Sequence, residues 1–340
     1  MLGGAESART AVHLGDLIRL ADAAGLLQDP EMAAARARGL RRGRNLVTGP
    51  LSDLGRAALT STFSSGDAAP LTDARLLSFN QATAERASLP AVIEACARHG
   101  VPGIAVWRHK LAETGVATAA RLIREAGLQV SSLCRGGMFP AATATERAAR
   151  IDDNRRAIDE AATLDAEILV LVCGAAPDRD ISAARAMVAD GIAAIVPYAA
   201  ERGIRLGVEP LHPAFAAERS CVTTMREARL LCEPFAPADV GVVVDVYHVW
   251  WDPERAAEIA LLGSRIAGYH VNDWLVPAKN VLMNRGMMGD GVIELRRIRG
   301  EVERASYRGS IEVEIFNESL WDLPLDELVC LTRDRFVAHV

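Results

Sequence analysis

Ile204-Arg205-Leu206-Gly207-Val208-Glu209, Val240-Gly241-Val242-Val243-Val244-Asp245, Arg265-Ile266-Ala267-Gly268-Tyr269-His270 and Ser310-Ile311-Glu312-Val313-Glu314 are four short runs, each closed by a side chain that binds cations. Small and β-branched apolar residues in runs of this length read as strands buried on both faces. One carboxylate or imidazole at the end of such a strand is ordinary. Four of them, at the same end of four strands separated by helical segments, predict one ring of ligands at one mouth.

Working outward, the same alternation begins at Leu76. Strands are expected at 76–80, 101–107, 128–134, 167–173, 204–208, 240–244, 265–269 and 310–315. Helices are expected behind them at 89–99, 116–126, 145–164, 183–201, 223–232, 253–262, 292–305 and 325–336. Gly127 suits a helix C-cap, and Pro253 and Pro324 suit first helical turns. Eight strand–helix repeats are what a (β/α)8 barrel requires. A doubly wound sheet would be expected to carry a Gly-rich phosphate turn after an early strand. The turn after the third strand reads Arg135-Gly136-Gly137-Met138, which lacks that spacing. The expected fold is therefore α/β, a (β/α)8 TIM barrel over residues 75–340, with an N-terminal helical extension at 1–74.

The extension differs in composition. Residues 12–27 have helical spacing, and 31–44 form an Ala/Arg segment with Arg36, Arg38, Arg41, Arg42 and Arg44. A Gly/Ser/Pro-rich passage follows, to Ser64-Ser65-Gly66-Asp67. This reads as a solvated, partly flexible segment, with an arm docking on a neighbouring subunit as the sharper alternative. Five arginines without interleaved aromatics make a poor nucleic-acid surface.

The net charge of −6 over 340 residues also argues against a phosphate-backbone partner. No apolar run reaches the roughly 18 residues that a bilayer span needs. No basic segment followed by an apolar one opens the chain, so no secretory leader is expected. The six cysteines lack C-x-x-C spacing and sit mainly in apolar stretches. A reduced, cytoplasmic protein is the expectation.

Two Glu, one Asp and one His form an oxygen-rich set with one nitrogen. Such a set suits one borderline-hard divalent ion, with Mn2+ placed first and Mg2+, Co2+ or Zn2+ also suited. No thiolate is among them, which argues against a structural zinc site. Nearby loops add candidates for substrate contact. His248 lies three residues beyond Asp245, His212 lies in the loop after Glu209, and Asp273 lies three residues beyond His270, where it could also orient neighbouring groups or cap a helix. Arg285 opens the glycine-rich loop Arg285-Gly286-Met287-Met288-Gly289-Asp290-Gly291. Trp107 ends the second strand, and Trp250, Trp251 and Trp274 follow the sixth and seventh. No Lys/Arg cluster or glycine nest is read near the mouth, so an unphosphorylated ligand is expected.

Glu209 at the fifth strand, Asp245-x-x-His248, His270-x-x-Asp273, the Gly289-Asp290-Gly291 turn and Glu314-Ile315-Phe316 together resemble the xylose-isomerase-like TIM-barrel superfamily. That group includes sugar isomerases and epimerases, ketose 3-epimerases, inosose dehydratase and endonuclease IV. The resemblance covers about residues 76–340. It implies that Glu209, Asp245, His270 and Glu314 ligate the metal. Glu209 and Glu314 would be the acid/base pair, and His248 and Arg285 would contact substrate oxygens. Glu312 lies on the same side of its strand as Glu314, and the Glu-Ile-Phe pattern favours Glu314.

Two departures matter. Leu211-His212-Pro213-Ala214-Phe215 lacks the extra acidic residue of the ketose 3-epimerases. No histidine lies between Asp273 and Gly291, which argues against endonuclease chemistry. The expected function is thus a divalent-metal-dependent isomerase or epimerase of a small sugar or keto-sugar, moving a proton through a metal-stabilised enediolate. A lyase on the same site is the second reading: a keto-inositol dehydratase, or a 3-keto C-glycoside deglycosidase with a small partner subunit. A non-catalytic metal-binding barrel is the third. Aromatic residues on loops suggest a homo-oligomer.

Overall fold

The computed structural model of the chain describes residues 66–278 and 280–340. Gly66–Val340 forms one compact unit. Both helices expected at 12–27 and 31–44, and nearly all of the extension 1–74, lie outside the described residues.

Eight parallel strands close into a barrel. They are β1 (Leu77–Asn80), β2 (Gly103–Trp107), β3 (Gln129–Gly137), β4 (Ile168–Val172), β5 (Arg205–Glu209), β6 (Val240–Asp245), β7 (Ile266–Val271) and β8 (Ile311–Val313). Each pairs with its sequence neighbour, and β8 closes on β1 through Leu77↔Ile311 and Phe79↔Val313. The long helices Leu89–Arg98, Val116–Glu125, Ala144–Thr163, Ile181–Glu201, Met225–Cys232, Arg255–Leu262, Leu295–Arg304 and Leu325–His339 fall where the alternation predicts them. Helix Arg108–Thr114 was not expected, because Arg-His-Lys-Leu-Ala-Glu-Thr shows no apolar stripe. Pro253 precedes its helix rather than sitting in the first turn, while Pro324 is the N-cap of the last helix.

Strand residues alternate between two cores, as the pleat demands. Leu169, Leu171, Leu206, Val208, Val242, Val244, Tyr269, Val271, Ile311 and Val313 face the helices. Cys134, Ile168, Val170, Val243 and Ala267 fill the barrel interior. This inner plug is the floor beneath the mouth. Gly207 belongs to it, since a Cβ there would stand 2.7 Å from Val243 Cγ2. Gly207→Val is therefore expected to cost about 1–3 kcal/mol by overpacking, read as a lowered urea midpoint at unchanged slope.

Helix Ile181–Glu201 is long and apolar enough to cross a membrane by length and composition. It instead lays Ala184, Val188, Ile192, Ile195 and Ala199 against the barrel as buried residues. All six cysteines are free thiols.

Candidate metal centre

The alternation that buries Val208, Val244 and Val313 outward turns the next residues inward. Glu209 and Asp245 end β5 and β6, His270 is the last-but-one residue of β7, and Glu314 follows β8. Register sets Asp245 level with His270. All four side chains are buried, and one ligand atom from each lies within 4.8 Å of the others. Two atoms on opposite sides of a divalent ion, each about 2.0–2.6 Å from it, are about 4–5 Å apart. The spacing therefore suits a single ion.

Unmet bonding capacity supports this fit. Glu209 Oε1 and both ring nitrogens of His270 are buried without a hydrogen-bond partner. His270 Nδ1 lies 3.4 Å from Glu209 Oε1, and Nε2 lies 3.5 Å from Glu312 Oε1. Buried polar atoms are normally satisfied, so three orphans in one cluster call for a ligand.

Charge points the same way. Glu209, Asp245, Glu312 and Glu314 bring four carboxyl groups to a space where Arg285 and His270 are the opposing side chains. Burial pushes the Glu209 carboxyl up, against the pull of His270. Burial, with Glu209 alongside, raises Glu314 to about 7 although Arg285 opposes it. Burial disfavours charge on His270, yet Glu312, Glu209 and Glu314 outweigh it and raise the imidazole to about 10. Burial also opposes ionisation of Asp245, but Arg285, His248 and His270 hold it below the usual carboxylate range.

Arg285 locks two of the four clustered side chains. Its Nη1 donates to Asp245 Oδ2 at 2.9 Å and to Glu314 Oε2 at 2.8 Å. The guanidinium is packed 4.8 Å from the Tyr247 ring centre and 5.0 Å from that of Phe316. His248 Nε2 stands 3.1 Å from Arg285 Nη2, and His248 Nδ1 accepts the His212 backbone N–H at 3.1 Å. Burial lowers His248 to about 3, so its ring is neutral at physiological pH.

A cavity opens over this cluster, about 370 Å³ including its mouth. Glu209, Glu314, His248 and Arg285 line it, with Trp107, Phe215, Leu282 and Phe316 as apolar walls. Trp107 thus reaches the site, and its Nε1 donates to Asn80 Oδ1 at 2.9 Å.

His212 and Asp273 do not line the cavity, contrary to the expectation that they meet substrate. His212 Nδ1 accepts the Ala214 N–H at 3.1 Å, and its ring lies 5.0 Å from Trp274. Asp273 accepts from the backbone N–H groups of Trp274, Gly289 and Ile293 at 2.9–3.0 Å. It ties down the loop that carries Arg285, whose Arg285–Gly286 segment pairs antiparallel with Asp273–Trp274. Asp273→Ala strands those amides and is expected to cost about 1–3 kcal/mol. Chemical denaturation reads that loss.

Several residues of the site carried no motif. Glu312 sits one inward position below Glu314 and accepts from Asn80 Nδ2 (2.6 Å), Ser131 Oγ (2.9 Å) and Ser132 Oγ (2.8 Å). Asn80 Nδ2 also reaches Glu314 Oε1 at 3.2 Å, and Asn272 Nδ2 reaches Asp245 Oδ1 at 3.2 Å. Ordinary Asn and Ser residues near strand ends give no sequence signal. Only barrel closure brings them into hydrogen bonds with the clustered carboxylates.

Carboxylates and one imidazole converging at the C-terminal mouth of a closed eight-stranded barrel define a (β/α)8 protein with a centre suited to a divalent cation. The sequence model of the xylose isomerase-like TIM barrel family matches residues 93–333, and the chain belongs to that family. Residues 1–42 separately match a family of proteins of unknown function.

Protein SMc04130 from Sinorhizobium meliloti 1021 is 47% identical in its crystal structure, with a TM-score of 0.76 over 78% of this chain and 100% of that one. D-psicose 3-epimerase, solved in the presence of D-fructose, is 17% identical with a TM-score of 0.63 over 76% of this chain and 96% of that one. The IolI protein, solved with a bound zinc atom, is 18% identical with a TM-score of 0.68 over 76% and 95%. These two likenesses concern the fold. The 3-dehydroshikimate dehydratase of Pseudomonas aeruginosa is 26% identical over 246 residues, 70% of this chain and 37% of that protein. The chain thus spans just over a third of that curated relative.

Proposed function

We propose that the protein is an enzyme that removes a proton from the carbon beside a carbonyl of a small polyhydroxylated ketone and returns it, as a metal-dependent isomerase or epimerase. The observation that carries this reading is the pair of buried carboxylates, Glu209 and Glu314, within one four-ligand cluster at the base of a small cavity. A divalent ion held by Glu209, Asp245, His270 and Glu314, with Mn2+ the first choice, would supply Lewis-acid stabilisation of charge developing on substrate oxygen.

The chain's own residues do the rest. One of Glu209 and Glu314 accepts the proton at a carboxylate oxygen, and the other returns a proton from its carboxyl group. Both are anchored near the reacting carbon, which suits transfer without loss of stereochemical control. Arg285 holds Glu314 Oε2 and Asn80 reaches Oε1, so this carboxylate cannot swing away. Arg285 also stays cationic beside any negative charge that develops. The neutral His248 ring, positioned through the His212 amide, presents Nε2 to the cavity side of Arg285. Phe215, Phe316, Trp107 and Leu282 keep water from the reacting carbon.

A second reading, β-elimination of water from the same carbanion, is favoured by the 26% identity to a dehydratase. The two separate in one experiment. The protein is incubated in D2O with Mn2+ and a panel of ketoses and cyclic polyhydroxy ketones, followed by NMR. The proposal predicts deuterium at one carbon and a new epimer or isomer without loss of water. An absorbing unsaturated product would assign elimination instead. No exchange and no product across the panel would overturn both.

A further inference from the structure

The cavity has a gradient of burial. Glu209, Glu314, His248 and Arg285 at its base are buried, whereas Arg135 and Arg219 on its walls are half-buried. Arg135 lies near the C-terminal end of β3, and Arg219 lies in the loop after β5. They are brought to one space only by the barrel.

These two arginines differ from the others. Half-buried arginines elsewhere in the chain find acceptors: Arg108 bonds Asp153 and Glu160, Arg255 bonds Glu301, and Arg265 bonds the carbonyls of Cys232 and Phe235. Among the described residues, every other arginine that is not fully exposed has such a partner. Arg135 and Arg219 have no such acceptor among the described residues, and the Arg219 guanidinium lies 5.8 Å from the centre of the Phe215 ring. Burial together with the Arg135 and Arg285 charges lowers Arg219, against the pull of Glu218 and Glu314. Two guanidinium groups in a partly desolvated wall, with no acceptor bonded directly to either, keep donors that an anionic group can satisfy. A guanidinium fork is shaped to take a carboxylate or phosphate with two parallel hydrogen bonds.

We infer that the substrate carries an anionic group, a carboxylate or a phosphate ester, which Arg135 and Arg219 bind at the cavity wall while the ketone end faces Glu209 and Glu314. This rests on the ketone chemistry proposed above and narrows its substrate class. It corrects the expectation of a mouth without clustered cations. Sequence distance hid the cluster, since Arg135 and Arg219 are 84 residues apart (219 − 135).

The test separates binding from turnover. Quenching of tryptophan fluorescence, for which Trp107 in the cavity wall is the reporter, is titrated with D-sorbitol, D-gluconate and D-sorbitol 6-phosphate. These probes share a carbon skeleton and differ in charge. The metal-free protein is used, so that chelation by gluconate does not contribute. Wild type is expected to bind at least one anionic probe ten-fold or more tighter than sorbitol, with the preference weakening as salt rises. Whichever anion binds tighter identifies the group. Arg135→Gln and Arg219→Gln are expected to abolish the preference, and Arg219→Lys to restore part of it. Equal binding of all three probes by wild type overturns the inference. So does an anion preference that survives both Gln substitutions. The D2O exchange assay reports the reaction independently. Exchange on neutral ketoses with no anion preference would sink this inference and leave the proposed reaction standing. Anion preference without exchange on any ketone would do the reverse.

Discussion

Glu314→Gln is expected to slow solvent-deuterium exchange by about 10²–10⁴-fold, the usual contribution of a positioned acid or base. The substitution keeps the shape and the Asn80 contact but removes the charge that Arg285 Nη1 meets at 2.8 Å. It also removes the oxygen able to carry the proton. Glu209→Gln is expected to act as strongly, since its unpartnered Oε1 stands at the same cluster. Single-turnover kinetics with D2O solvent read the effect. An unchanged rate in Glu314→Gln would remove it from the proton path, whatever its part in holding the ion.

The second large effect is on metal affinity as pH changes. In the metal-free cluster His270 titrates at about 10 and Glu314 at about 7. A cation needs the neutral imidazole and the ionised carboxylate, so binding displaces both protons below pH 7. The logarithm of the apparent association constant should therefore rise by about two per pH unit below 7 and by about one between 7 and 10. The metal-free fold should show the opposite trend. His270 and Glu314 hold protons in the fold that the unfolded chain releases at lower pH, so that part of its stability declines as pH rises through those values. Isothermal titration with Mn2+ at pH 6, 7 and 8 reads the first slope, and urea midpoints without metal read the second. Affinity independent of pH would mean that His270 is not a ligand.

The barrel was legible because its strands are buried on both faces. Ile168-Leu169-Val170-Leu171-Val172 is apolar throughout, since Leu169 and Leu171 meet helices while Ile168 and Val170 meet the inner plug. The buried cluster of Glu209, Asp245, His270 and Glu314 was legible for the same reason, as polar residues interrupting such runs at matching ends. What sequence could not provide was the set of neighbours made by closure. Asn80, Ser131 and Ser132 meet Glu312 across β1, β3 and β8, and nothing in the local patterns of the asparagine and the two serines marks them. His212 and Asp273 show the converse, side chains near the cluster in sequence that do not line the cavity. Proximity to a ligand along the chain placed them near the mouth, but one ring turned into an aromatic cluster and one carboxylate turned to backbone amides.

The claim on which the account depends is that Glu209, Asp245, His270 and Glu314 hold one ion together. Elemental analysis after Mn2+ loading and exhaustive dialysis tests it most directly, comparing wild type with the Glu209→Gln/Asp245→Asn double variant, each verified as folded by circular dichroism. The account predicts about one equivalent of metal per wild-type chain and almost none in the variant. A folded variant that keeps the full wild-type equivalent would contradict it.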